Sequence, residues 1–112
     1  MILNSIIPSG GGTEIKTATA KKSDSKSITF TLENGTPKDY WLYMSVRASY
    51  VTSTARISHG YRLNDTTCKV WYHAGSNTYS SENAAVSFAG NNMTITSTNY
   101  LFGGTYTLIY YY

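Results

Sequence analysis

The chain has 112 residues but only one cysteine, two prolines, six acidic residues and no long apolar run. With Cys68 alone, no intramolecular disulfide can form, and the redox compartment stays open. No stretch approaches the roughly 20 apolar residues that a membrane-spanning helix needs, so membrane insertion is not expected. The opening Met1 to Pro8 lacks basic residues and is interrupted by Asn4 and Ser5, which does not fit a secretory leader. A soluble protein is expected, and export would need another route.

The shortage of charge is equally informative. Charged residues make up 13% of the chain and aromatic residues 14%, the reverse of a disordered composition. The net charge of +3 comes largely from Lys16, Lys21, Lys22 and Lys26, which gather near the first predicted turn as a solvated loop. A nucleic-acid surface needs a longer basic stripe with interleaved aromatics, and Lys21-Lys22 runs instead into Ser23-Asp24-Ser25. Nucleic acid is therefore not an expected partner.

Catalytic chemistry has few candidate residues. Glu14, Asp24, Glu33, Asp39, Asp65 and Glu82 all fall in or beside predicted turns, where solvation and local hydrogen bonds account for them. His59 and His73 have no cysteine or acid at ligand spacing, so neither a metal nor another cofactor is expected. The Gly-rich stretches Ser9-Gly10-Gly11-Gly12 and Phe102-Gly103-Gly104-Thr105 lack the Lys-Ser/Thr and the helix of a phosphate loop. The chain reads as a non-enzyme.

What remains is Tyr, with 11 copies, set among Thr, Ser and Asn in short alternating segments. Ser27 to Leu32 is the clearest, placing Ile28, Phe30 and Leu32 on one face. Tyr40 to Val46 places Leu42, Met44 and Val46 inward and Trp41, Tyr43 and Ser45 opposite. Further strands are predicted from Glu14 to Ala20, near Arg56 to Tyr61, and from Thr67 to Ala74. In the strand after Asn64-Asp65, Cys68, Val70 and Tyr72 share a face, with Cys68 as a small buried hydrophobe. Ala84 to Phe88, the Gly90-Asn91-Asn92 turn and Met93 to Thr98 form a hairpin. Gly103-Gly104 allows a sharp bend before a last strand that ends in Tyr110, Tyr111 and Tyr112.

Seven or eight strands without a helical period predict an all-β fold, a single antiparallel β-sandwich over residues 13–112, with a small β-barrel as the alternative. Residues 1–12 form an apolar arm and Gly-rich hinge. Ile2, Leu3, Ile6 and Ile7 on that arm either extend the domain's own sheet or dock on a partner.

Aromatic side chains supply the candidate ligand-binding residues. Trp41 with Tyr43, and Trp71 with His73, make stacking platforms for sugar rings if their faces meet solvent, and plain core if they do not. Asn77, Tyr79, Asn83, Asn99 and Tyr100 are assigned to loops at the end of the sandwich, where binding residues concentrate.

Ile7 to Gly12, Lys16 to Thr19, Ala74 to Ser80 and Thr96 to Tyr106 together resemble small β-modules of virion structural proteins in phages and prophages of Firmicutes, often tail-fibre or other appendage modules. That resemblance implies a tail-fibre, baseplate or capsid-surface subunit located on the virion and assembled in the host cytoplasm. The subunit would be a homo-oligomer partnered by other virion proteins, touching a cell-surface glycan during host attachment. Such modules often end a long fibre polypeptide, so a free-standing copy is expected to attach through the apolar arm. The competing expectation is a free carbohydrate-binding module, which needs no such arm.

Overall fold

A computed structural model describes residues 14–47, 55–73 and 78–112. Expectations placed on Ile2, Leu3, Ile6, Ile7 and Asn77 fall outside the described residues. The described residues form eight strands: β1 (Lys16–Ser25), β2 (Ser27–Thr31), β3 (Asp39–Arg47), β4 (Ile57–Asn64), β5 (Thr67–His73), β6 (Tyr79–Ala89), β7 (Asn92–Thr96) and β8 (Phe102–Tyr111). Every pairing is antiparallel, and the described residues contain no helix. The all-β expectation holds.

All eight strands belong to one sheet in the order β1-β8-β3-β4-β5-β6-β7-β2. The two end strands also touch, so the sheet nearly closes on itself, as a small barrel or as a sandwich whose layers come from one sheet. Only Lys26 separates β1 from β2. That corner is held by Ser97, a buried polar residue whose amide and hydroxyl lie 2.8 and 3.0 Å from the Lys26 carbonyl.

Alternation explains the interior. Ile28, Phe30, Met93 and Ile95 are fully enclosed and lie opposite one another across β2 and β7. Leu42, Val70, Cys68 and Leu108 continue the same core through the other half of the sheet. Each large apolar side chain removed from water contributes roughly 1.5–3 kcal/mol. The predicted hairpin forms as β6 and β7 around Gly90-Asn91, where Gly90 takes a φ of 63°. A positive φ at the first turn residue matches the twist of the flanking strands, and glycine adopts it without steric cost.

Several expectations are corrected. β1 runs on to Ser25 through the lysines read as a loop, because β8 offers pairing partners as far as Gly104 and Phe102. Gly103 and Gly104 lie within β8 and not before it. The Arg56 side chain fills the space a Cβ on Gly103 would occupy. Val46 is 60% exposed, because a register shift between Met44 and Val46 breaks the alternation that would have turned it inward. Asp24 and Glu82 sit within strands, and Glu82 accepts hydrogen bonds from the Thr98 amide and hydroxyl at 2.8 and 2.9 Å.

β8 lies between β1 and β3, although it is the last of the eight in sequence. Its end clamps the loop after β2. The Glu33 amide donates to the Tyr110 hydroxyl, and the Asn34 amide to that of Tyr112, which donates in turn to the Gly35 carbonyl. Lys16 closes the same end with ion pairs to Glu14 and Glu33 at 2.7 and 3.0 Å.

Candidate aromatic binding face

The outer surface of the sheet is built by pairing register. Residues directly opposite on antiparallel strands point to the same side, and neighbouring strands lie about 4.8 Å apart. One outer row reads Thr107, Tyr43, His59, Trp71 and Ser81 across β8, β3, β4, β5 and β6. The next row reads Ile109, Trp41, Tyr61, Lys69 and Asn83. Trp41, Tyr43, His59, Tyr61 and Trp71 therefore form one continuous aromatic surface. Trp41 and Trp71 are half-buried against their neighbours, while Tyr43 and Tyr61 are more than a third exposed.

The open question about the tryptophans is thereby answered: both lie on the outside. Their inner neighbours Tyr40, Leu42 and Val70 fill the core instead. Gly60 makes this layering possible. It pairs with Leu42 and Val70, and a Cβ there would meet the Lys69 carbonyl at 2.8 Å. A larger residue would push β4 off β5 and split the aromatic rows.

Local contacts orient the rings. The His59 and Trp71 planes lie within 9° of parallel with centroids 6.3 Å apart, and the Ser58 hydroxyl sits 2.8 Å from His59 Nδ1. The Lys69 ammonium lies 5.6 Å from the Trp71 ring centroid, in range for a cation–π contact. Trp41 leans toward Tyr111 at 6.2 Å. Beneath this pair Ile109, an outward-phase residue, is only 5% exposed, because Trp41 and Thr17 flank it in register.

The remaining candidates divide. His73 meets Tyr79 edge-on at 5.1 Å, continuing the aromatic surface toward the end of the sheet. Tyr79 is the first residue of β6 and Asn83 lies within it, so neither is the loop residue expected. Asn99 and Tyr100 are exposed in the connection between β7 and β8, where Lys26 lies 5.2 Å from the Tyr100 ring centroid. This second location is not in register with the two rows. Tyr61, Lys69 and Tyr111 were not singled out for binding from the sequence, and His59 was weighed only as a metal ligand. The signal that joins them is strand pairing, which a single strand pattern does not carry.

Chemically the surface offers ring faces, hydroxyls and amides. Among the described residues, no group of three His, Cys, Asp or Glu stands close enough to hold a metal ion. Burial pushes the Cys68 thiol up to about 12, which leaves it protonated and unreactive at neutral pH. No protein-family model matches this chain, and neither does any curated protein or solved structure. What fold and surface define together is a small antiparallel β-domain with an aromatic outer face.

Proposed function

We propose that the chain is a non-catalytic binding module that stacks sugar rings on the outer face of β3, β4 and β5. The observation that supports this most is the paired register of Trp41 with Tyr61, and of Tyr43 with His59 and Trp71. Five aromatic rings are held on a rigid sheet and left partly open to water. Flat ring faces match the C–H faces of pyranoses, while Ser81, Asn83 and Thr107 at the margins supply hydroxyl and amide partners. The resemblance of Ile7 to Gly12 and of Thr96 to Tyr106 to phage β-modules supplies the setting: an oligomeric virion appendage presenting this face to a host glycan, anchored to other virion proteins by its apolar arm.

Affinity electrophoresis through gels containing soluble glycans tests the binding reading. At least one glycan should retard the protein, and Trp71→Ala should weaken that retardation about tenfold, equivalent to about 1.4 kcal/mol. Thr94→Ala, on the far side of the sheet, should leave it unchanged. Equal effects of the two substitutions would refute the assignment. Antibody labelling of purified phage particles tests the setting, and unlabelled particles would remove it.

A further inference from the structure

β1 and β2 stand at the two ends of the strand order, each with a ladder partner on one side only. β2 is five residues long, whereas β1 pairs with β8 in unbroken register from Lys16 to Lys22. Backbone groups along an antiparallel strand point alternately to its two sides, so about half of those on β1 point away from β8. Among the described residues they have no backbone partner on that side. Thr17, Thr19, Lys21 and Lys22 are exposed along it. Such an edge is a template for another strand.

Charge selects which strand fits. A second copy pairs antiparallel with β1 about a two-fold axis normal to the sheet, which sets residues of the same phase opposite one another. Centred on Thr19, this pairing puts Lys16 against Lys22 of the second copy, like charges directly opposite. Centred on Ala20, it draws on Asp24, which lies past the register shift after Lys22 and is engaged by Arg56. Centred on Thr17, it brings neither Lys21 nor Lys22 to an acid. Centred on Ala18, it sets Ala18 against itself, Thr17 against Thr19 and Lys16 against Ala20. The same count carried outward sets Glu14 against Lys22. Both are exposed, and Lys22 has no acidic partner among the described residues. Lys16 holds Glu33 as well as Glu14, so it keeps one acid when Glu14 turns to the second copy.

We propose that the edge of β1 is a homodimer interface, in which two copies pair about Ala18 and exchange two Glu14–Lys22 ion pairs. Thr17 of each copy faces Thr19 of the other on the outer side, the hydroxyl pairing that Thr29 and Thr94 make within the chain. The outer surfaces of both copies lie on the same side of one continued sheet. This contact stands apart from the glycan reading; only its consequence rests on that reading, namely that two aromatic faces are presented together to a repeating glycan.

Sedimentation equilibrium of the full chain from about 1 μM to about 1 mM covers the range of a small interface. A reversible monomer–dimer equilibrium is expected. Glu14→Lys alone and Lys22→Glu alone each set like charges opposite one another, and each acts twice across the two-fold axis. Either should weaken the dimer about tenfold. The two combined should restore it, which a misfolded chain would not do. A monomer throughout, or a trimer or larger assembly, would overturn the proposal. So would a dimer that neither single substitution weakens, or one that the combined variant does not regain. Glycan retardation and its loss on Trp71→Ala are read separately, so failure of the dimer and failure of the glycan reading are told apart.

Discussion

The outer surface of β3, β4 and β5 and that of β2, β7 and the second half of β6 are built on the same ladder with opposite chemistry. The first carries Trp41, Tyr43, His59, Tyr61 and Trp71. The second carries Thr29, Thr31, Ser87, Thr94 and Thr96, with Thr29 and Thr94 hydroxyls 2.9 Å apart and Thr31 donating to Asn92 Oδ1 at 3.1 Å. Beneath both, the inner face is the same aliphatic and aromatic core. Fold stability therefore resides on the shared side, and the two outer sides are free to differ. Hydroxyl pairs satisfy a solvated sheet at little cost, whereas large rings left partly in water are what the proposed contact surface requires.

The comparison can be broken most severely from inside. Phe30→Ala under the hydroxyl half and Leu42→Ala under the aromatic half should each cost about 2–5 kcal/mol in chemical denaturation. A half that tolerated its substitution would show that the core is not shared. Alkaline pH should act next. Burial pushes both the Tyr106 hydroxyl and the Cys68 thiol up to about 12, above their ordinary values near 10 and 9. Stability from these groups is fully present below pH 9 and should fall as pH rises toward 12, because the unfolded chain loses those protons first. A denaturation midpoint that stayed flat from pH 9 to 12 would contradict their burial.

Smaller effects sharpen the contrast. Trp41→Ala uncovers Ile109 and should cost about 1–2 kcal/mol while also weakening ligand binding. Tyr43→Ser should leave the denaturation midpoint nearly unchanged and weaken binding alone. Thr94→Ala removes one exposed hydroxyl pair and should cost about 0.5 kcal/mol without touching binding. A larger stability loss from Thr94→Ala than from Trp41→Ala would invert the roles given to the two halves.

Strict alternation was legible wherever one face was purely apolar. Ile28, Phe30 and Leu32, and likewise Met93 and Ile95, read correctly because their intervening residues are short and polar. The second half of β1 was not legible, since Lys21 to Asp24 contains no apolar residue and is held by backbone pairing to β8 and by the Asp24–Arg56 ion pair. In β3 the period and its direction were readable as far as Met44, and the register shift before Val46 was not. Tyr40, Trp41, Leu42 and Tyr43 are all large, and only the choice of Tyr40 and Leu42 for the core sends Trp41 and Tyr43 outward. Arg56 was passed over because its role depends on Gly103, a neighbour 47 positions along the chain.

The place of β8 between β1 and β3 bears on how the protein is made. A ribosome delivers β1 and β3 long before the strand that must lie between them, so neither acquires that partner until synthesis reaches Phe102–Tyr111. Pairings this distant in sequence close slowly. The nascent chain thus keeps β1 and one edge of β3 open to other partners until β8 arrives, while β3 to β7 can pair in order as they emerge.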